Sequence, residues 1–439
     1  MMMRSKLERH CRHLVIVGRS VAVENVDGSL RIKAECHDYI RDISIPFEKT
    51  TVIQPVLGSG DPSLRDQLSG YRHPLPPRVD FVPIPDDFTK QDGFLRSVQR
   101  VARQLNTIRT HLRVADAALI NTPSYRGFGA LVWARIHGVP FVAHCAARLH
   151  RRSYDPLEQK GVRALATWIK ELGQKVFELS ALAFAPARTV DGPDLLATFG
   201  HLPGITKHSP PIVSFDSERV RQLRAKREEP PRSSPTILHV GALVPRKNID
   251  TIIAAVAELR ASHAGARLVL VGTSASSHKE ELEELARGLL PAPGACEFTG
   301  YVGDPDEKHQ RFAGADLLVC ASYAEGFPRV IYEALAADIP VVATDLPGYR
   351  ENMPDGAMEL LEAGKDPVAL AASMRRALTP PRVKEMQLRG GARARAMMSQ
   401  SSPALALALL AAQGVPVDVG PAPCTAAGTS NSGRAGCRA

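Results

Sequence analysis

The sequence predicts two α/β domains with parallel sheets, and three observations carry that prediction. From Thr236 onward, short all-apolar runs alternate with amphipathic segments. That is the pattern of βαβ units whose sheet is covered on both faces. Residues 205–235 are rich in Pro, Ser and charge and read as a linker between two halves. The 439 residues exceed one ordinary domain and suit two.

In the first half, His13–Gly18 (HLVIVG) reads as a buried strand ending in a turn. Residues 29–56 alternate and read as strands without a helix. Residues 59–92 carry many Pro, Gly and Asp and read as loop. Phe94–Leu112 is an amphipathic helix with an apolar stripe at Leu95, Val98, Val101, Leu105, Ile108 and Leu112. Arg96, Arg100 and Arg103 share another face. Ala117–Ile120 is a strand, Ala130–His137 a helix and Phe141–His144 a strand. Residues 157–180 form a long helix with Trp168, Ile169, Leu172, Val176 and Phe177 expected inward. Ala181–Ala185 is expected to be a strand.

In the second half, strands are expected at Thr236–Val240, Arg267–Val271, Cys296–Thr299, Leu317–Ala321 and Pro340–Thr344. Helices follow at Asn248–Arg260, His278–Leu290, Glu307–Ala313, Arg329–Ala337 and Asp366–Leu378. The expected division is an N-terminal domain over 1–212, a C-terminal domain over 213–400, and a low-complexity, disordered tail over 401–439.

Composition narrows the class. The chain is 44% hydrophobic and 23% charged, which is globular. Its longest apolar stretch, around Pro403–Val417, falls short of the ~18 apolar residues a membrane helix needs. The basic leader has no apolar stretch after it, so no secretory signal is expected. Seven Cys with no C-x-x-C spacing argue against a disulfide framework, a zinc site or a redox motif, and a cytoplasmic setting fits. Formal net charge is +9, and all of it lies in residues 1–212. Such asymmetry suggests an anionic partner for the first half, or a plain solubility imbalance.

In open α/β sheets, ligands bind beyond the carboxyl ends of the strands. After Thr236–Val240 come Gly241 and then Arg246 and Lys247 at a helix start, which suits a phosphate. Two adjacent loop cations are also commonly just solvated. Gly272 and the pair Gly300-Tyr301 end the next two strands. Glycine lets a ligand approach the backbone, and a Tyr ring can stack on a base. The richest segment is Glu325-Gly326-Phe327-Pro328-Arg329-Val330 with Glu333 eight residues after Glu325. Pro328 fits the first helical position. Phe327, Arg329 and Val330 would present backbone N–H groups to the cleft. Two carboxylates beside an anion site suit the hydroxyls of a sugar and a ribose. The plainer alternative is a Glu325 that caps the helix and a solvated Glu333.

Glu325–Glu333 resembles the E-x7-E motif of the GT-B glycosyltransferases of retaining family 4, in the form E-G-F-P-x-V-x-x-E. Val341–Asp345 resembles the family's P-V-V-A-T-D, and Gly348 with Glu351 its following loop. Phe298–Val302 resembles F-x-G-x-V, and Ile237–Lys247 resembles V-G-R-L-x-x-x-K. These pieces keep the family's order over residues 236–378. The family's Arg after Gly is Ala242 here, with Arg246 as a partial substitute. In the N-terminal half the match is loose. Gly18 stands where the family has a Gly-rich loop near the donor. His144 stands where members often carry a His near acceptor and sugar, or is a satisfied core histidine. Arg148, His150, Arg151 and Arg152 form a basic cluster on the acceptor side.

The resemblance implies two Rossmann-like domains facing a cleft, the GT-B fold. It implies a retaining glycosyltransferase with a nucleotide-diphosphate sugar as donor and a glycan or lipid-linked acceptor, in cell-surface polysaccharide biosynthesis. Glu325, Lys247 and His144 would be catalytic. Gly18, Gly241, Arg246, Gly272, Tyr301, Gly326, Phe327, Arg329, Val330 and Glu333 would bind the donor. No cofactor and no metal is expected, because helix N–H groups and Lys247 supply the positive charge and no D-x-D pair ends a strand. No nucleic-acid partner is expected. Contact of the basic half with anionic lipid at the inner membrane face stands beside a soluble acceptor with solvated arginines. A nucleotide-sugar epimerase of the same fold, or a non-catalytic nucleotide-sugar binder, stays as an alternative. A dehydrogenase is disfavoured, since no G-x-G-x-x-G follows a strand.

Overall fold

A computed structural model describes residues 12–18, 22–25, 27–58, 71–85, 94–146, 162–212, 215–227, 234–274, 278–323, 325, 328–346, 348–362, 364 and 366–417. Short apolar strands build two separate sheets. The first holds β1 (His13–Val17), β2 (Ala22–Glu24), β3 (Leu30–Arg31), β4 (Lys49–Gly58), β5 (Val79–Pro85), β6 (Ala117–Thr122), β7 (Phe141–Cys145), β8 (Ala187–Val190) and β9 (Ile205–His208). Their order is β3-β2-β4-β1-β6-β7-β8-β9, and β5 pairs with β4. Every pairing is parallel except β2 with β3. Helices Phe94–Leu112, Tyr125–Ile136 and Val162–Ala183 cover one face through Ile108, Leu112, Phe128, Leu131 and Leu182. Burial of such side chains on both faces is what lets a sheet of Val, Ile and Leu exist in water.

The second sheet holds β10 (Thr236–Val240), β11 (Arg267–Val271), β12 (Cys296–Gly300), β13 (Leu317–Cys320), β14 (Val341–Thr344) and β15 (Glu359–Leu361). Its order, β12-β11-β10-β13-β14-β15, is fully parallel and doubly wound. The order reverses beside β10, and a crevice opens there at the strand ends. Ile252, Ile253 and Val256 pack on one face; Ile331, Ala334 and Leu335 pack on the other. The two α/β domains expected from the sequence are thus present.

Six expectations need correction. Residues 29–56 do contain a helix, Ala34–Ser44, whose buried face is little more than Ile40 and Ile43. The expected loop over 59–92 contains β5, an edge strand that tolerates its two prolines because no neighbour needs their missing N–H. Its residues 59–70 and 86–92 lie outside the described ones. The strand expected at Ala181–Ala185 is instead the end of the helix Val162–Ala183, and β8 follows it. On that helix Leu172 and Val176 are 45% and 56% exposed, not inward, whereas Phe177, 51% exposed, meets the buried Phe128 ring edge-on at 4.9 Å; the side chains of Trp168 and Ile169 lie outside the described ones. The face that packs on the sheet runs through Glu178, Ala181 and Leu182, and at about 100° per residue the 172/176 stripe points elsewhere. The linker over 205–235 shrinks to the crossing between β9 and the helix Ser217–Ala225, whose Val220 is buried in the second core.

The sixth correction concerns the tail. Residues 402–417 are not disordered: Ser402–Ala411 is a helix. Ala406, Leu407, Leu409, Leu410 and Val415 join the core of the first domain beside the helix Ala34–Ser44. Gln413 donates to the Phe141 carbonyl at 3.0 Å and accepts its N–H at 3.1 Å. Repetitive Ala and Leu look featureless in sequence, yet a helix apolar all round is suited to a buried slot. Residues 418–439 lie outside the described ones. The chain therefore crosses twice between the domains. No helix among the described residues is long and apolar enough to cross a membrane.

Candidate active site

The strand ends of β10, β11 and β12 meet tightly. A Cβ on Gly272 (φ +145°) would lie 1.8 Å from the Gly241 carbonyl oxygen, so only glycine fits there. The Gly272 N–H donates to the Gly300 carbonyl at 2.8 Å. This close approach leaves a backbone-lined floor for a cavity of about 530 Å³ between the two domains. Gly241, Ala242, Lys247, Gly272, Tyr301, Glu325, Arg329, Val330 and Glu333 line it from the second domain. The sequence brought most of these forward, and the fold brings them to one place.

Lys247 is aimed by the residue after it. Asn248 sits in the left-handed region (φ 57°) between the single turn Pro245–Lys247 and the helix Ile249–Leu259. Its amide donates to the Gly364 carbonyl at 2.9 Å, and its Oδ1 accepts from Thr251 and from Tyr323, each at 2.7 Å. Pinned this way, the turn directs Lys247 into the cavity, where only 8% of the residue stays exposed. Lys247 Nζ lies 2.7 Å from Glu325 Oε1. Arg246 bonds the same carboxylate oxygen and does not line the cavity. The substitute for a cation at position 242 therefore points at Glu325.

Glu333 is 6% exposed, not solvated. Lys308 Nζ donates to its Oε1 at 2.7 Å and sits over the rings of Phe215 and Phe312, at 5.2 and 5.8 Å. Pro328 is the N-cap of the helix Arg329–Ala336, one position earlier than expected. The Ile331 N–H bonds the Pro328 carbonyl at 3.0 Å, and the Arg329 and Val330 N–H groups before it give the helix a partly positive end. Gly326 and Phe327 lie outside the described residues, as do Arg148, His150, Arg151 and Arg152.

The first domain closes the cavity with residues that sequence reasoning missed: Lys33, Glu35, Arg72 and His73. The bridge between Ile32 and His73 places them at the cleft. Lys33 Nζ lies 5.5 Å from the centre of the Tyr301 ring and 5.1 Å from that of Tyr71. Arg329 reaches across to the Ile212 carbonyl at 3.0 Å and to Glu35 at 3.7 Å. Burial, and then Glu35, push the Tyr301 phenol above its ordinary range. No local motif marks these residues; the only sequence signal was the charge excess of the first half.

Two expected residues stand apart from this cavity. Gly18 ends β1, and its N–H donates to the Ile53 carbonyl at 3.1 Å. A Cβ there would strike the Gln54 side chain at 2.2 Å, so its glycine answers a packing need. His144 ends β7, with Nδ1 3.0 Å from Thr189 Oγ1 and Nε2 3.6 Å from Asp191. Neither residue lines the cavity. Among the described residues, no group of three or more His, Cys, Asp or Glu is placed to hold a metal ion.

His239, beneath Gly241, is fully buried, and its Nδ1 lies 2.9 Å from the Val319 carbonyl oxygen. Burial, and then the charge of Lys247, push this ring down from 6.5 to about 4. The unfolded chain takes up the proton first as pH falls from 6.5, so stability drops until about pH 4, by up to about 3 kcal/mol. Urea unfolding of the parent and of His239→Leu, each at neutral and mildly acid pH, checks this. The variant should lose less stability on acidification; an equal loss would discount His239.

Against this geometry, residues 234–380 match the family model described as "Glycosyl transferases group 1". The match covers about a third of the chain. The matched stretch carries Lys247, Glu325 and Glu333, whereas the residues that close the cavity from the other side lie outside it. D-inositol 3-phosphate glycosyltransferase 2 of Catenulispora acidiphila is 33% identical over 199 residues, covering 43% of this chain and 46% of its own length. The chain spans about half the length of the curated relatives it matches. Sucrose-phosphate synthase from Thermosynechococcus elongatus superposes with a TM-score of 0.65 at 17% identity, over 92% of this chain and 98% of that one. Anabaena Alr3699/HepE, solved in complex with UDP-glucose, gives 0.59 at 17% identity, over 92% and 99%. At these identities the likeness gives the fold, which is GT-B: two Rossmann-like domains.

Proposed function

We propose that the chain is a retaining glycosyltransferase that moves a sugar from a nucleotide-diphosphate donor to a glycan or lipid-linked acceptor, in cell-surface polysaccharide biosynthesis. The observation that carries this reading is the Lys247–Glu325 pair beside the free helix end at Arg329–Val330, in one inter-domain cavity. A relative named as a glycosyltransferase and a neighbour solved with UDP-glucose support it. The diphosphate takes Lys247 and the N–H groups of Arg329 and Val330, where developing negative charge meets fixed positive charge. Arg246 keeps Glu325 oriented while Lys247 turns to the phosphate, and Glu325 accepts from the donor sugar's hydroxyls. Glu333 accepts from the ribose, and Tyr301 stacks on the base once Lys33 moves aside. His144, backed by Asp191, acts on the acceptor side after domain closure. Ala242 favours a second reading, a nucleotide-sugar binder without transfer; an epimerase of the same fold would act on donor alone.

The test is release of nucleoside diphosphate from UDP-glucose and related donors, with and without oligosaccharide or lipid-linked acceptors, in EDTA. Acceptor-dependent release that EDTA leaves intact is expected, because Lys247 and the helix end already supply the charge. Activity that needs magnesium or manganese would overturn the metal-free account, and binding without release would favour the second reading.

We further place the basic first domain at the inner membrane face. Arg96 and Arg103 are exposed on their helix, and Val176 and Phe177 offer apolar surface on another helix. Each Lys or Arg near an anionic surface contributes about 1 kcal/mol. Sedimentation with phosphatidylglycerol vesicles should show binding that weakens as salt rises. Absence of binding at low salt would remove the membrane from the account.

A further inference from the structure

A second cavity, of about 680 Å³, lies at the opposite end of the second sheet. It is lined by Pro235, Asp316 and Pro340, which precede β10, β13 and β14. A strand of this length separates it from the cleft by about 16 Å. Four arginines line it, Arg221, Arg224, Arg227 and Arg375, against two carboxylates, Asp316 and Asp338. Both carboxylates are already engaged. Asp316 accepts from Arg227 at 3.1 and 3.3 Å and from the Thr236 N–H at 2.8 Å. Asp338 accepts from Arg395 at 2.7 Å and lies 3.8 Å from Arg221. Arg224 donates to a neutral group, the Ala315 carbonyl. Burial lowers its guanidinium below the ordinary range despite both aspartates. Arg221 pairs with Glu218 through Nη2, while its Nε is buried with no hydrogen-bond partner among the described residues.

Arg221 and Arg227 have carboxylate partners, but Arg224 is withdrawn from water against a carbonyl; that is costly, and a bound anion removes the cost. The planar fork of Arg matches phosphate oxygens two at a time. The remaining wall is apolar, including Pro235, Leu378 and Val383, and the volume is that of a small-molecule site. We propose that this cavity binds an organic phosphate of the size of a sugar bisphosphate, as an effector site separate from the sugar-transfer cleft.

Its position gives the effector something to act on. Arg221 and Arg224 belong to the helix Ser217–Ala225, which follows the first crossing between the domains. Val383 and Gln387 belong to the segment that leads to the second crossing, where Ser402–Ala411 docks on the first domain. An anion held between Arg224 and Arg375 ties the two crossings together. The relative placement of the domains, and with it the cleft contacts of Arg329 and Lys33, then depends on occupancy. The binding claim does not rest on the identity of the transfer reaction.

The test is calorimetric titration of the full chain with fructose 1,6-bisphosphate, repeated with Lys247→Ala, Arg224→Gln and Arg375→Gln. Expected is binding by the parent, unchanged in Lys247→Ala and weakened at least tenfold in both arginine variants. Arg375 lies at the end of its helix, so that variant carries the test if Arg224→Gln fails to fold. No binding by the parent at millimolar concentrations overturns the proposal. So does binding that Lys247→Ala abolishes, or that Arg375→Gln leaves untouched, since either places the ligand elsewhere.

Discussion

Lys247→Ala should lower the turnover of sugar transfer about a hundred- to a thousandfold, the range seen when one charge-stabilising donor is removed from an acyl-transfer site. The residue is 8% exposed and its ammonium pairs with Glu325 in the cavity. Glu325 keeps Arg246 when Lys247 is gone, so no carboxylate is left stranded and the fold should survive. The loss belongs in turnover more than in donor affinity, because the charge it meets grows as the diphosphate departs. Steady-state kinetics beside thermal unfolding separates these effects. A folded variant with near-parental turnover would remove Lys247 from the chemistry.

Glu333→Ala should act on the donor complex instead. Its carboxylate is 6% exposed and sits at the cavity wall, held by Lys308 at 2.7 Å. A hydrogen bond from a ribose hydroxyl to a charged group is worth about 1.5–3 kcal/mol, so the donor's dissociation constant should rise about 10- to 150-fold. Turnover at saturating donor should fall much less. Lys308 loses its partner, but at 26% exposure water partly replaces it, so destabilisation should stay modest. Glu333→Gln, which keeps shape and one acceptor, should fall between the parent and Ala. An unchanged dissociation constant in Glu333→Ala would show that the ribose is held elsewhere.

Much of the second domain was readable in the sequence because its signals are local. Its four central strands are short apolar runs buried on both faces, and the turns that follow them carry a glycine or a charge. Glu325, Glu333 and Lys247 could be named because each lies a fixed number of residues from such a strand end. The first domain concealed more. The helix Ala34–Ser44 buries only two isoleucines, too few for a visible periodicity. The strand Val79–Pro85 is masked by prolines that only an edge position permits. On Val162–Ala183 the apolar Leu172 and Val176 are exposed, so hydrophobicity pointed the wrong way there. The helix Ser402–Ala411 has no polar face to reveal it, because it is wedged between the first sheet and another helix. Lys33, Glu35, Arg72 and His73 reach the site only through the tertiary bridge between Ile32 and His73.

The central claim is that the inter-domain cavity holds a nucleotide-diphosphate sugar on Lys247 and Glu333. The most direct measurement is thermal unfolding of the parent, Lys247→Ala and Glu333→Ala across a panel of nucleotide-diphosphate sugars. The account predicts that at least one donor raises the midpoint of the parent, by about 2.7 kcal/mol of added stability at a hundred times its dissociation constant. It also predicts that the same donor, at the same concentration, stabilises both variants less. A panel in which no donor stabilises the parent, or one whose stabilisation is unchanged in both variants, would contradict it.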